Sequence, residues 1–397
     1  MASFSAREKR YESSRSSLLY DPRIRGIFYQ VVVFAAVVAV IYWIVGNTVT
    51  NLHRANIASG FGFLKGRAGF DVSQSLIPYS SDSTYGRAIL VGLLNTLYVA
   101  ILGIVTASII GFLVGVGRLS QNWLIRKICM VYVEIFRNIP PLLVIFFWYF
   151  GVLSVLPQAR ESLALPFGSY LNNRGFFFPA PVWGEGAWLL PVALLLGILA
   201  SLIVARWAYR RQMATGQPFH TLRVSAALII GLPLLALIAT GFPVSFEFPT
   251  LGTFNLTGGT QIKPEFLALF LALSFYTAAF IAETVRAGVL GVSKGQSEAA
   301  FALGLRPRAT MRLVIVPQAL RIIIPPLSSQ YLNLTKNSSL AIAIGYPDLV
   351  AIGGTILNQT GQSVEVVAIW MVIYLGISLV TSGLMNWFNA KMALVER

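Results

Sequence analysis

From Ala88 to Gly117 the chain runs thirty residues without a charged side chain, and seven more stretches do much the same. They are Ile27–Gly46, Ile139–Leu156, Ala187–Ala205, Val224–Phe242, Phe266–Ala282, Ile322–Gly345 and Val366–Ala390, the seventh in chain order broken only by Lys336. About 20 apolar residues span a bilayer, so the pattern predicts a polytopic, all-α membrane protein of about eight transmembrane helices. Charged residues make up 11% of the 397, against about a quarter in soluble domains. With the amino terminus placed inside, 22 of the 30 Lys and Arg residues fall on the inner side and seven on the outer, Lys336 lying within the membrane. Both termini are then cytoplasmic. The net charge of +15 is topogenic, and nucleic acid is not an expected partner.

A single cysteine, Cys129, excludes an intramolecular disulfide, and two histidines on opposite predicted sides, His53 and His220, imply no metal site. The first apolar run, with about 26 mostly polar residues before it, fits a retained signal anchor better than a cleaved leader. Closely spaced helices with both termini inside suit a bacterial inner membrane. Residues 47–87 form a long outer segment that reads either as an interfacial helix or docking loop or as a plain connection. Spans four and five carry no charge and read as packing elements.

The stretch 282–326 carries the most information. Ser293 followed by Gln296 predicts a capping box, Ala299, Ala300 and Ala302 favour helix, and Gly304 supplies a left-handed terminator. Arg306-Pro307 starts a second helix. The first presents Glu298 between small residues, with Phe301 and Leu303 beside it. Such a helix either seats in a partner's groove or rests on the bilayer.

The string Glu298-Ala299-Ala300, then Gly304, then Val316-Pro317-Gln318-Ala319-Leu320, resembles the EAA signature of ABC importer permeases. Ala282-Glu283-Thr284-Val285-Arg286-Ala287-Gly288, Lys294-Gly295-Gln296 and Tyr132–Leu142 resemble the polar amino-acid uptake branch of that family. Tyr20–Gly26 and Asn56–Leu64 further resemble the larger membrane subunit of general L-amino-acid importers. The resemblance covers essentially the whole chain. It implies a type I importer core of five helices, mapped to spans two, three, six, seven and eight. On this reading 1–26 is a cytoplasmic segment, 27–46 an added helix and 47–87 periplasmic. Residues 88–156 and 264–397 form the two parts of the core, around an insertion, 157–263, with two extra helices. The helix 293–304, with Gln296, Glu298, Ala299, Ala300 and Gly304, is then the coupling helix, seated in a separate ATPase subunit. The implied partners are a second, homologous permease, two ATP-binding subunits and a periplasmic amino-acid-binding protein.

Absence supports this division of labour. A P-loop needs Lys followed by Ser or Thr, and none of the seven lysines is. ATP and magnesium are therefore expected on the partner ATPase, this chain holding no cofactor and doing no catalysis.

Ionisable groups near membrane depth are the pathway candidates. Glu134 with Arg137, and Glu283 with Arg286, are i, i+3 pairs that neutralise one another. They read either as interfacial depth markers or as parts of an inner gate or interface. Pro325 and Pro326 predict a break in span seven, followed by the polar cluster Asn333, Thr335, Lys336, Asn337, Ser338 and Ser339. A zwitterionic amino acid needs a cation or N–H groups for its carboxylate and oxygen acceptors for its ammonium, and the cluster offers both. Interhelical hydrogen bonding is the other use for it. Many family members carry an acid after the lysine, where this chain has Asn337, which fits broad specificity. The expected function is ATP-driven import of L-amino acids by alternating access. The rival is an ion-gradient-driven secondary transporter, disfavoured by the lack of a detectable inverted repeat and the scarcity of membrane-centre carboxylates.

Overall fold

A computed structural model describes residues 22–54, 60–252 and 255–392. The basic segment before residue 22 and residues 56–59 of the Asn56–Leu64 motif lie outside the described residues. Among the described residues, seven helices are long and apolar enough to cross a membrane. They are α1 (Pro22–Arg54), α2 (Tyr85–Gly117), α5 (Leu189–Thr215), α6 (Thr221–Ala239), α7 (Pro264–Leu290), the run from Pro307 to Ile344, and α12 (Ser363–Met392). An eighth span is bent. α3 (Trp123–Asn138) and the helix Pro141–Leu153, which begins as α4 (Pro141–Phe146) and ends in a π-helical turn, meet at 111°. The predicted span Ile139–Leu156 is helical over Pro141–Leu153, and the bend lies at its start, where α3 joins it. Ile139 precedes Pro140, whose ring excludes helical geometry from the residue before it, and the chain turns there with Ile139 at φ −103°, ψ 134°.

The core forms where α2 and α7 meet. α2 presents Gly103, Ala107, Gly111 and Gly115 at four-residue spacing, all buried. A Cβ on Gly111 would sit 2.6 Å from the Cβ of Ile281, and one on Gly115 2.7 Å from that of Val285, so the backbones approach as only small residues allow. Gly288 of α7 admits Ile323 of α10 (Val316–Asn337) in the same way. α3 is anchored by Tyr132, whose hydroxyl donates to Phe275 O at 2.6 Å.

Span seven departs from expectation. Pro325 and Pro326 lie inside a continuous α10, and the irregular turns fall elsewhere, as a π-helical turn at Met311–Ile315 and a 3-10 turn at Ser338–Ile344. The prolines cost the N–H bonds to residues 321 and 322, yet both are exposed on the helix and displace nothing in the core.

Two features were not anticipated. The first is α11 (Leu349–Thr360), capped by the Asp348 carboxylate, which accepts from Ala351 N at 2.8 Å, and ended by Gly361 at φ +71°. At 12 residues it is too short for a search keyed to bilayer length. It packs on α2 and α12 under a strap formed by residues 60–84. The strap is tied down where Gly60 N donates to Glu365 Oε1 at 2.6 Å and Gln362 Nε2 donates to Gly60 O at 3.1 Å. Phe63, Phe70, Ile77 and Tyr79 of the strap pack on Ile89, Leu349, Ile352 and Ile356. The second is a set of short antiparallel strands within 157–263, which adds a small β appendage to the otherwise helical chain. β1 (Leu163–Leu165), β2 (Ser169–Asn172), β3 (Gly175–Phe178) and β8 (Thr260–Ile262) form one sheet in that order. β4 (Ala180–Trp183) pairs with β5 (Val244–Glu247), and β6 (Thr250–Leu251) with β7 (Leu256–Thr257). β4 leads into α5 and α6 leads into β5, so the strands close one end of the α5–α6 hairpin.

Candidate functional site

The helix α8 (Lys294–Ala302) stands between α7 and α9 (Pro307–Thr310). Ser293 occupies the cap position with extended backbone, but its hydroxyl caps nothing, and the predicted capping box does not form. The Gln296 side chain turns the other way, its Oε1 accepting from Gln318 Nε2 of α10 at 3.1 Å. The far end closes as predicted. Gly304 is at φ +77°, Gly304 N donates to Phe301 O at 2.9 Å and Leu305 N to Ala300 O at 3.1 Å, a Schellman stop. Ala300 is buried, while Gln296, Glu298, Ala299 and Gly304 are exposed, as are Phe301 and Leu303. Phe301 and Leu303 are 51% and 83% exposed, two apolar side chains open at the end of the helix. The second helix starts at Pro307 as predicted and runs through the π-helical turn into α10, one helical path from Pro307 to Ile344.

The polar cluster after the prolines divides between two faces. Thr335 and Ser338 are buried and donate to Tyr331 O and Thr335 O at 2.9 and 2.7 Å, so their hydroxyls serve the helix itself. Asn333 and Lys336 are exposed, and Asn337 and Ser339 half-buried. Lys336 and Ser339 border a cavity of about 330 Å³ shared with Val350, Val367, Trp370, Met371 and Tyr374. Lys336 makes no ion pair among the described residues.

Charge gathers on Glu283 of α7. Arg286 binds both its oxygens, Nη2 to Oε1 at 2.6 Å and Nε to Oε2 at 3.3 Å. Arg118, just past the end of α2, pairs with the same carboxylate, and Arg137 of α3 reaches to 3.8 Å while lying over the Phe280 ring. The predicted Glu283–Arg286 pair is therefore present. Glu134 and Arg137 do not pair: Glu134 is exposed beside Asn138, whose side chain donates to Glu134 O at 2.7 Å. The reason is competition, since Glu283 offers Arg137 a less solvated carboxylate than Glu134. Arg118 was the member sequence reasoning missed; its position directly after a long uncharged run was the available signal.

A second polar knot escaped notice altogether. Asn95 and Thr96 of α2 are fully buried. Asn95 Nδ2 donates to Gln74 O and Pro347 O, both at 2.9 Å, and Thr96 Oγ1 accepts from Leu349 N at 3.1 Å. Tyr346 donates its hydroxyl to Asn95 O at 3.0 Å, and Trp370 Nε1 to Leu349 O at 3.1 Å. Asp348 sits among them with no exposed surface. Burial pushes its carboxyl up to about 6, against the pull of the backbone N–H groups of α11.

Residues 103–394 match the family described as the binding-protein-dependent transport system inner membrane component. The chain is 66% identical over 381 residues to the general L-amino acid transport system permease protein AapQ of Rhizobium johnstonii, covering 96% of this chain and 95% of that one. It is 45% identical over 417 residues to the glutamate/glutamine/aspartate/asparagine transport system permease protein BztB of Rhodobacter capsulatus, covering 96% and 97%. A shorter relative, the glutamine transport system permease protein GlnP of Escherichia coli, is 31% identical over 216 residues, 54% of this chain and 94% of that one. The chain belongs to the binding-protein-dependent transport system inner membrane components: it is a multi-pass inner-membrane permease of an ABC importer, a non-catalytic subunit that works with an ATPase and a binding protein.

Proposed function

We propose that the chain is one half of a heteromeric translocation unit that imports L-amino acids of several kinds. It pairs with a second, homologous permease above two ATP-binding subunits and receives substrate from a periplasmic amino-acid-binding protein. The observation that carries the reading is α8, held by Ala300 and the Gln296–Gln318 bond at its base, with Glu298, Phe301 and Leu303 free to enter a partner groove. The names of the relatives AapQ and BztB, general L-amino acids for one and four amino acids for the other, support broad cargo. The distribution of Lys and Arg supports cytoplasmic termini, with α8 inside and the strands outside.

Closure of the ATPase pair pushes on α8, and the continuous Pro307–Asn337 path carries that push to Asn333, Lys336, Asn337 and Ser339. Lys336 supplies the cation for a substrate carboxylate, and the side-chain oxygens of Asn333 and Asn337 accept from its ammonium. Thr335 and Ser338 hold the backbone of that face. Glu283 with Arg118, Arg137 and Arg286 ties α2, α3 and α7 at the inner end and acts as the inner gate, with Glu134 at its exposed margin.

Purification of the chain from its native membrane in mild detergent, with the mass and stoichiometry of each co-purifying subunit, tests the assembly. A second permease of different mass with two copies of a P-loop protein is expected; recovery of this chain alone would count against the coupling role of α8. Uptake that persists after ATP depletion would instead favour an ion-driven carrier.

A further inference from the structure

The inserted hairpin has an internal shape that simple packing does not require. α5 and α6 touch at Gly197, where a Cβ would lie 2.7 Å from Leu228 O. Toward the strand end they are held again, a Cβ on Gly186 meeting Thr240 at 3.3 Å. Pro191 stands in the first turn of α5, and Pro233 lies inside α6, where it removes the N–H bond to Ile229. The space between them is a groove of about 830 Å³, walled by Pro191, Leu194, Ile229, Pro233, Leu234 and Leu237, with Trp183 and Trp188 at its mouth. Not one wall residue is charged. A zwitterionic amino acid finds no partner there, so the groove is no part of a translocation path.

We propose that this groove is a lipid site that takes an acyl chain of a phospholipid from the leaflet on the strand side. Three observations fix the occupant. Both walls belong to membrane spans, so the groove opens at hydrocarbon depth, where the abundant apolar ligand is an acyl chain. The depth matches: Ile229 to Leu237 rises about 12 Å at 1.5 Å per residue, close to one leaflet of a hydrocarbon core about 30 Å thick. The mouth matches too. Trp183 and Trp188 are 63% and 65% exposed where β4 passes into α5, the position at which indole rings mark the headgroup level. A bound chain fills the groove and packs against both α5 and α6.

The test uses the complex as purified, returned to vesicles of phosphatidylethanolamine and phosphatidylglycerol that contain a phospholipid with a photoreactive diazirine at mid-chain. After illumination and digestion, label is expected to concentrate on the peptides that carry Pro191–Leu194 and Ile229–Leu237. Leu194→Trp and, separately, Leu234→Trp place an indole in the groove from either wall, and each is expected to cut labelling there several-fold while leaving α12 unchanged. Leu199→Trp, on an exposed part of α5, is expected to change nothing. Two variants on different helices guard against a fold defect in one. Label spread evenly over α1, α5, α6 and α12, insensitive to either tryptophan, would overturn the site as ordinary annular lipid. Leu194→Cys or Leu234→Cys variants that cross-link to the second permease or to α1 would overturn it in favour of a protein occupant.

Discussion

At the residue scale two carboxylates, one at each end of the core, behave in opposite ways. Asp348 caps α11 through Oδ1, while Oδ2 finds no donor among the described residues. Its carboxyl is pushed up to about 6 from an ordinary 3.8, so the folded chain holds that proton more tightly than the unfolded one. Stability linked to this group is therefore greatest at low pH, falls as pH rises between those two values, and stays reduced above the upper one. Asp348→Asn keeps a competent cap and removes the charge. The variant is expected to melt at a higher temperature than the parent at neutral pH, and a melting series in detergent should show that advantage shrinking toward pH 4 (about the ordinary carboxylate value). An advantage that does not vary with pH would mean that Asp348 is not the titrating group. Glu283 presents the opposite case. Arg118 is only 11% exposed and depends on it, so Glu283→Gln leaves a guanidinium without its counter-charge and should cost on the order of 2 kcal/mol. Glu134→Gln, whose parent carboxylate pairs with no arginine among the described residues, should leave the melting temperature close to that of the parent.

The stability of the elements rests on helix pairs that meet through glycine. Without water to drive helices together, their association depends on close backbone approach, and α2 achieves it with small residues at every fourth position. Gly111→Leu introduces a side chain where a lone Cβ would already meet Ile281 at 2.6 Å and Ala278 O at 2.9 Å. Neither neighbour is the tip of a flexible side chain, so the helices must part; a size-exclusion profile should show loss of the monodisperse species, while Gly383→Leu on α12, where nothing lies within 4 Å, should leave it intact. Helices of this kind were legible because their length and freedom from charge are set by the bilayer. So was the Gly304 stop, which depends on local backbone chemistry alone. α11 and the strap at 60–84 were not, since their apolar residues are too few for a span and find partners only across the chain, Phe63 with Tyr85 and Gly60 with Glu365. The polar cluster of span seven was legible as a cluster; its division into a face that serves the helix and a face toward the cavity depends on which side α2 and α7 occupy. Arg118 illustrates the same limit: its carboxylate partner is 165 positions away.

For the whole molecule the question is how a chain that hydrolyses nothing is made to move. α8 is the one described short helix that is exposed on its Glu298 face and joined at both ends to spanning helices of the core, α7 before it and the Pro307–Ile344 run after it. On the proposed coupling role, a force applied there would reach both sides of the core at once, Glu283 through α7 and Lys336 through α10. Glu298 itself holds nothing in the chain: it is exposed and forms no ion pair among the described residues. Glu298→Arg therefore leaves the permease folded and alters only what it offers a partner. The expected outcome in reconstituted vesicles is an unchanged melting temperature for this chain, with ATP-driven amino-acid uptake reduced by roughly tenfold or more, the effect of losing one polar anchor of about 1.4 kcal/mol and reversing its charge. Glu298→Gln, which keeps the shape and part of the hydrogen bonding, should fall between the two. If uptake by Glu298→Arg equals that of the parent while the ATPase subunits still co-purify, the drive enters the core elsewhere. If uptake in every variant follows an imposed ion gradient and ignores ATP, α8 couples to nothing.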